Sequence, residues 1–128
     1  MSLLCSVTRN LPAADMAVKG GNWEKKGFQG VELLDKTLAI IGCGRIGQVV
    51  ASSATVMGMN VIGFDPVMTG EEMAEHSIKR AELADIWANA DFITIHAPLT
   101  EGTNKLINDD TIAMCKDCLL YTSPSPRD

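Results

Sequence analysis

Three glycines and one acid carry the chemistry that this sequence offers most clearly. Gly42, Gly44 and Gly47 stand in the run Gly42-Cys43-Gly44-Arg45-Ile46-Gly47, behind the apolar stretch Thr37-Leu38-Ala39-Ile40-Ile41 and eighteen residues ahead of Asp65. Glycines at this spacing answer separate steric demands when a strand turns into a helix beneath a pyrophosphate. Gly42 permits the tight turn, Gly44 lets backbone approach the phosphates, and Gly47 lets the helix pack on the strand. A helix opening near Gly44 points unpaired N–H groups and the positive end of its dipole at an anion, so Arg45 and Ile46 are expected to supply main-chain donors, with the Arg45 side chain available for added charge. Asp65 follows a second strand, where a carboxylate accepts hydrogen bonds from the 2′ and 3′ hydroxyls of an adenosine ribose and repels a 2′-phosphate; this favours NAD over NADP. The competing reading is a turn that only joins strand to helix, with Asp65 capping the Pro66 turn. The complete order of strand, turn, helix, strand and acid favours dinucleotide binding.

The elements that must position these residues follow from the apolar pattern. Ile46, Val49, Val50, Ala54 and Met57 recur at three and four residues, predicting a crossover helix that lays this face on a sheet and stops at Gly58. Asn60-Val61-Ile62-Gly63-Phe64 reads as the second strand, and Thr69 to Asn89 as a helical stretch with Leu83, Ile86 and Trp87 on its core side. Asp91 to His96 is rich in β-branched and aromatic residues and predicts a third strand, followed by the loop Ala97-Pro98-Leu99-Thr100. Asn108 can cap a last helix with Asp109 and Asp110 in its first turn and Lys116 at its end. The order βαβαβα predicts an α/β fold, a partial Rossmann-type doubly wound parallel sheet. Ligands of such sheets bind outside the carboxyl ends of the strands, so His96, Ala97 and Pro98 are expected beside the nicotinamide half of the cofactor. For His96 a local hydrogen bond at the end of a strand competes with a direct role, and no carboxylate stands in an obvious supporting position. Upstream, Ser2 to Val18 reads as helix, turn and short helix with Pro12 interrupting, and a glycine-punctuated loop then carries Trp23, read as a packing anchor.

Composition bounds the function. The chain has 128 residues, 46% of them hydrophobic, enough for the core of one ordinary domain. A formal net charge of −5 without a lysine or arginine run argues against nucleic acid as a partner. No apolar stretch approaches the roughly twenty residues that cross a bilayer, and no basic segment followed by an apolar block opens the chain, which makes the cytoplasm the expected location. Cys115 and Cys118 have the spacing of a redox or metal pair, but no second pair accompanies them and no metal site is expected.

Three stretches resemble the D-isomer-specific 2-hydroxyacid dehydrogenases. Lys36 to Gly47 is similar to the glycine fingerprint of that family, Ala90 to Thr100 to its third-strand motif, and Gly21-Asn22-Trp23-Glu24-Lys25-Lys26 with Phe28, Gly30, Glu32 and Leu33 to its members that oxidise 3-phosphoglycerate. The resemblance covers roughly residues 1 to 117. It implies NAD-linked oxidation of 3-phosphoglycerate to 3-phosphohydroxypyruvate at the head of serine synthesis, with Arg45 and Ile46 on the pyrophosphate, Asp65 on the ribose, and Ala97 and Pro98 on the nicotinamide side. Two positions depart from the pattern: Ala97 stands where threonine is common, and Asp35 where glycine often precedes the Lys-Thr pair. Aspartate tolerates positive φ better than most residues, so that turn is expected to be kept. The family's catalytic arginine, acid and histidine lie downstream of the matched motifs, so no catalytic residue is assigned to this chain.

The resemblance also implies boundaries. Residues 1–19 are expected to be an interlobe helix and turn, residues 20–117 part of an NAD-binding domain, and residues 118–128 a translated sequencing adapter, because Cys118 to Asp128 has no family counterpart and matches the translated end of a transposon-based adapter. The chain is thus read as an incomplete copy of a dehydrogenase whose parent forms a homo-oligomer through its cofactor domains. Alternatives are another family member, such as a glyoxylate or hydroxypyruvate reductase, and a corepressor-like protein that senses NAD with the same fold.

Overall fold

A computed structural model describes residues 1–23, 27–116 and 120–122. The chain divides into two compact units, Met1–Leu33 and Leu34–Asp128.

The first unit is a helical pair, α1 (Ser2–Thr8) and α2 (Leu11–Lys19). Pro12 lies in the first turn of α2, where its missing N–H costs no helix bond, so it starts this helix rather than breaking one. Asn10 makes the corner with φ of 51°. The residues after α2 fold back on the pair: the Val31 amide donates to the Thr8 carbonyl at 2.8 Å, and Gly30 lies so close to Thr8 that a side chain there would collide with its carbonyl oxygen. The compact division falls at Leu33/Leu34, so these folded-back residues belong to the first unit. Glu24, Lys25 and Lys26 of the family-like stretch lie outside the described residues.

The second unit is the α/β fold expected. Its elements are β1 (Thr37–Ile41), α3 (Arg45–Val56), β2 (Asn60–Phe64), α4 (Gly70–Glu75), β3 (Lys79–Arg80), α5 (Leu83–Asn89), β4 (Phe92–Ile95), α6 (Asp109–Ala113) and β5 (Leu120–Thr122). The strands lie in the order β3-β2-β1-β4-β5, and every pairing is parallel. Central β1 pairs with β2 in the register Leu38 to Val61 and with β4 in the register Leu38 to Phe92. It is buried on both faces, as a covered parallel strand must be. On one face Ala39, Ile41 and Ile93 pack with Ile86, Trp87 and Ala90, and Leu83 joins them at the edge, so the core side read for this segment holds. On the other face Ile40 meets Gly47 of α3.

Sequence expectations are corrected at α3 and in the segment between β2 and β4. The face of α3 that packs is Gly47, Ala51 and Ala54, whereas Ile46 and Val49 are 69% and 67% exposed and Met57 is exposed as well. Gly47 brings the helix so near the β1 turn that only small side chains fit beneath it, and the larger apolar residues are displaced outward. The segment Thr69 to Asn89 is two helices with a strand between them. Thr69 and Glu72 form a reciprocal capping box that starts α4; Ser77, with φ of 60°, ends it. The chain then inserts Ile78 into the core and pairs Lys79 and Arg80 with Ile62 and Gly63.

Asp35 adopts φ of 61° and its amide donates to the Gly58 carbonyl at 2.9 Å, so the turn before β1 is kept without glycine. At the start of β1, the Thr37 amide donates to Asp91 Oδ2 at 2.8 Å while Lys116 Nζ donates to Asp91 Oδ1 at 3.0 Å. Lys116 thus lies beyond α6, whose Asn108 cap and acidic first turn are as read. Cys118, and with it the Cys-X-X-Cys pairing, lies outside the described residues, as does most of the segment read as adapter; Leu120–Thr122 within it pairs with β4.

Partial burial works against the charge of Asp91, but the Thr37 amide and the Lys116 ammonium outweigh it and hold its carboxyl below the usual range. Because the folded value is depressed, its contribution to stability is present above the unfolded carboxyl pKa and is lost as pH falls through the folded one. Asp91→Ala should lower stability by about 1–2 kcal/mol at pH 7. In urea denaturation the gap to the parent chain should narrow as the pH is taken down towards about 3.

Candidate functional site

The carboxyl ends of β1, β2 and β4 meet at one edge of the sheet. Gly42 leaves β1 with φ of 92°, and a Cβ on it would stand 2.6 Å from the Ala97 nitrogen and 2.7 Å from the His96 carbonyl carbon. Its own amide donates to the Phe64 carbonyl at 2.9 Å, and the His96 amide donates to the Ile41 carbonyl at 2.7 Å. Gly42 is therefore wedged between two strand ends, which demands both the positive φ and the missing side chain.

The next two glycines face opposite conditions. A Cβ on Gly44 would meet nothing within 4 Å, while one on Gly47 would collide with the Gly42 carbonyl and stand 3.2 Å from Ile40 Cγ2. Gly47 is required by packing. Gly44 borders open space, and its smooth contour leaves a cradle that a side chain would fill. Gly44 is the N-cap of α3 and no side chain caps this helix, so the amides of its first turn, from Arg45 and Ile46 onward, point outward without side-chain partners. The Arg45 side chain is exposed. This edge fits a pyrophosphate: a close approach, outward donors and the positive end of a helix of twelve residues.

Asp65 follows β2 directly and gathers three amides. Its Oδ2 accepts from Cys43 N at 2.8 Å; its Oδ1 accepts from Val67 N at 2.9 Å and Met68 N at 3.1 Å. Partial burial opposes its charge, yet these amides, with Arg80 nearby, keep its carboxyl below the usual range. At neutral pH it is an anion. Arg80 also donates to the Met68 carbonyl, fixing the loop after Asp65.

His96 is half-buried and its Nε2 lies 3.0 Å from Thr94 Oγ1. Burial pushes its pKa down, so the imidazole is neutral at pH 7. No ion pair joins it to a carboxylate among the described residues. Ala97 turns the chain against Gly42, and the exposed Pro98 has its carbonyl held by Thr103 Oγ1 at 2.6 Å. The structure thus brings Gly42, Gly44, Gly47, Asp65, His96 and Ala97 to one edge, leaves the Arg45 side chain in solvent and puts Pro98 on the adjoining loop.

Three participants escaped sequence reading. Thr94 was legible in principle, since residues two apart in a strand share a face. Gln48, whose Nε2 donates to the Cys43 carbonyl at 3.1 Å, carries no motif signal. Cys43 fills the space beside Gly63, and burial, assisted by the charge on Asp65, pushes its thiol up to about 11, so it packs and does not react. A cavity of about 600 Å³ opens at the opposite end of the sheet, lined by Thr37, Asn60, Lys79, Asp85 and Asn89 among others; none of the candidate residues reaches it. Among the described residues no group of three acidic, histidine or cysteine side chains could hold a metal ion, and no helix is long and apolar enough to cross a membrane.

Residues 1–121 match the family described as D-isomer specific 2-hydroxyacid dehydrogenase, NAD binding domain. The chain belongs to this family. Among its relatives, D-3-phosphoglycerate dehydrogenase of Homo sapiens is 43% identical over 114 residues, which is 89% of this chain and 21% of that protein. Hydroxypyruvate reductase of Thermotoga maritima is 40% identical over 123 residues, 96% of this chain and 39% of that protein. Among solved structures, D-lactate dehydrogenase from Aquifex aeolicus, complexed with NAD and lactic acid, superposes with a TM-score of 0.88 at 28% identity, covering 95% of this chain and 37% of that one. The chain spans about a fifth of the length of the phosphoglycerate dehydrogenases that it matches. As a member of this NAD-dependent oxidoreductase family it has NAD as its cofactor, and the D-2-hydroxyacid dehydrogenase relationship extends over nearly all of its length.

The glycines separate folding from binding. Gly44→Ala should cost no more than about 1 kcal/mol, the preference of an N-cap position for glycine over alanine, since a Cβ there meets nothing within 4 Å, but should abolish measurable nucleotide binding by filling the cradle. Gly47→Ala should cost about 2 kcal/mol or more, because the helix must move off the Gly42 carbonyl. Thermal melts and calorimetric titration of the two variants check the contrast.

Proposed function

We propose that this chain grips the adenosine diphosphate part of NAD for a dehydrogenase that oxidises 3-phosphoglycerate to 3-phosphohydroxypyruvate. The carrying observation is an ionised Asp65 at the end of β2, set beside a glycine turn whose cradle is open at Gly44. The amides of Arg45 and Ile46 bind the pyrophosphate, with Gly42, Gly44 and Gly47 allowing the approach. Asp65 accepts from the ribose hydroxyls and repels a 2′-phosphate. His96, Ala97 and Pro98 border the nicotinamide side; Ala97 can contribute only backbone or methyl contact there, since it has no hydroxyl. NAD, when bound, supplies the hydride acceptor; the residues of this chain orient it and hold its charge.

The phosphoglycerate reading rests on the names of relatives at 41–44% identity and on the Trp23 stretch. The Thermotoga maritima relative supports a second reading, reduction of hydroxypyruvate or a similar 2-oxoacid, on the same cofactor grip. Both place the proton-transfer and substrate-holding residues outside the motifs present here, so the 128-residue chain by itself should give no turnover with 3-phosphoglycerate and NAD. In the parent enzyme the cofactor unit serves a homo-oligomer; Trp23, expected as a packing anchor but 78% exposed in this chain, supports a covered surface there.

Calorimetric titration separates these statements. NAD and ADP-ribose should bind with equal affinity, and a 2′-phosphorylated analogue more weakly. A marked preference for intact NAD would show that the nicotinamide half contributes more than this chain is credited with. In light scattering the purified chain should self-associate, and a clean monomer would sink the oligomer reading.

A further inference from the structure

The carboxylate of Asp65 spans two parts of the site that are far apart in sequence. One oxygen holds the Cys43 amide inside the glycine turn, and the other holds the Val67 and Met68 amides of the loop after β2. Around it the turn is fastened on other sides as well: Gly42 N to the Phe64 carbonyl, Gln48 Nε2 to the Cys43 carbonyl, and the Cys43 thiol, beside Gly63, to the Ile40 and Phe64 carbonyls at 3.7 and 3.8 Å. Yet the Cys43 N–H, which stands between Gly42 and the Gly44 cradle, has Asp65 as its partner. An ionised carboxylate offers about four acceptor sites, so three amides leave it able to accept from a ribose hydroxyl as well.

We propose that Asp65 is a positioning residue for the pyrophosphate turn, acting through the Cys43 amide, in addition to any direct contact with the ribose. The clasp orients the peptide between Gly42 and Cys43, and with it the line of the backbone from Gly42 into the first turn of α3, before a nucleotide arrives. Ribose recognition and the shape of the phosphate cradle then share one carboxylate. This rests on the reading of the turn as a dinucleotide grip and adds to it a dependence that a ribose contact alone does not create.

The two roles predict opposite signs for a ligand without ribose hydroxyls. If Asp65 only reads the ribose, removing its charge leaves the affinity for 2′,3′-dideoxy-ADP unchanged or improves it, because an anion near the phosphates has gone. If Asp65 holds the turn, the same change weakens that ligand. Asp65→Asn makes the distinction: the amide oxygen can still accept from Val67 and Met68, while its NH₂ faces the Cys43 N–H, donor against donor. The full 128-residue chain and this variant are titrated with ADP and with 2′,3′-dideoxy-ADP by calorimetry, and the Cys43 amide is followed by ¹H–¹⁵N NMR. Expected are a loss of about tenfold in affinity for dideoxy-ADP, the scale of one charge-assisted hydrogen bond, and an upfield move of the Cys43 amide proton with the rest of the spectrum dispersed as before. An Asp65→Asn chain that binds dideoxy-ADP as well as the parent overturns the clasp and leaves the dinucleotide reading standing. Failure of the unsubstituted chain to bind ADP overturns both together. Should Asp65→Asn lose its dispersed spectrum, Asp65→Ser carries the same test, since its hydroxyl keeps the local turn but stops short of Cys43.

Discussion

The contact of Gly47 with the Gly42 carbonyl is the constraint on which the rest of this unit depends. It brings the first turn of α3 onto the end of β1, closer than any side chain would allow. From that approach follow the small buried face of Gly47, Ala51 and Ala54 and the outward position of Ile46 and Val49. The outward direction of the uncapped amides at the helix start follows as well. A helix set farther from the sheet could bury larger residues, but its dipole would no longer open beside the carboxyl ends of β1, β2 and β4.

Two aspartates hold β1 at its two ends. Asp91 accepts from Thr37 N where the strand begins, and Asp65 accepts from Cys43 N just after it ends. Both lie on neighbouring strand connections and both are kept charged by amides despite partial burial. The central strand is thus fixed along its length by ladder bonds to β2 and β4 and at its ends by charge-assisted bonds.

Much of this was legible before any coordinates. The β-branched runs at Thr37–Ile41 and Phe92–Ile95, the glycine spacing and Asp65 announce a parallel sheet with a nucleotide-type turn, because each signal is local and each agrees with the next. What stayed hidden depends on distance between elements. The three- and four-residue spacing of Ile46, Val49, Val50, Ala54 and Met57 predicts a packed face, but spacing does not report how near the helix comes to the sheet, and that nearness keeps Ala54 and adds Gly47 and Ala51 in place of the larger residues. β3 is two residues long and takes its identity from pairing with Ile62 and Gly63, so Lys79 and Arg80 show no strand pattern of their own. The Val67 and Met68 amides on Asp65 are the turn cap that the Pro66 reading offers as the alternative to ribose binding, and both are present; the Cys43 amide, twenty-two residues back on another strand end, carried no local signal.

The unequal surroundings of the glycines bear on how such a turn can drift over generations. Gly42 and Gly47 are held by the protein's own backbone, so any lineage that must fold retains them, whether or not it still uses a nucleotide. Gly44 borders only open space, and a descendant released from its ligand can change it without a clash, and to serine, asparagine or aspartate with no loss of the helix cap. The middle glycine is therefore the position at which a copy of this domain would first record that its cofactor had been abandoned.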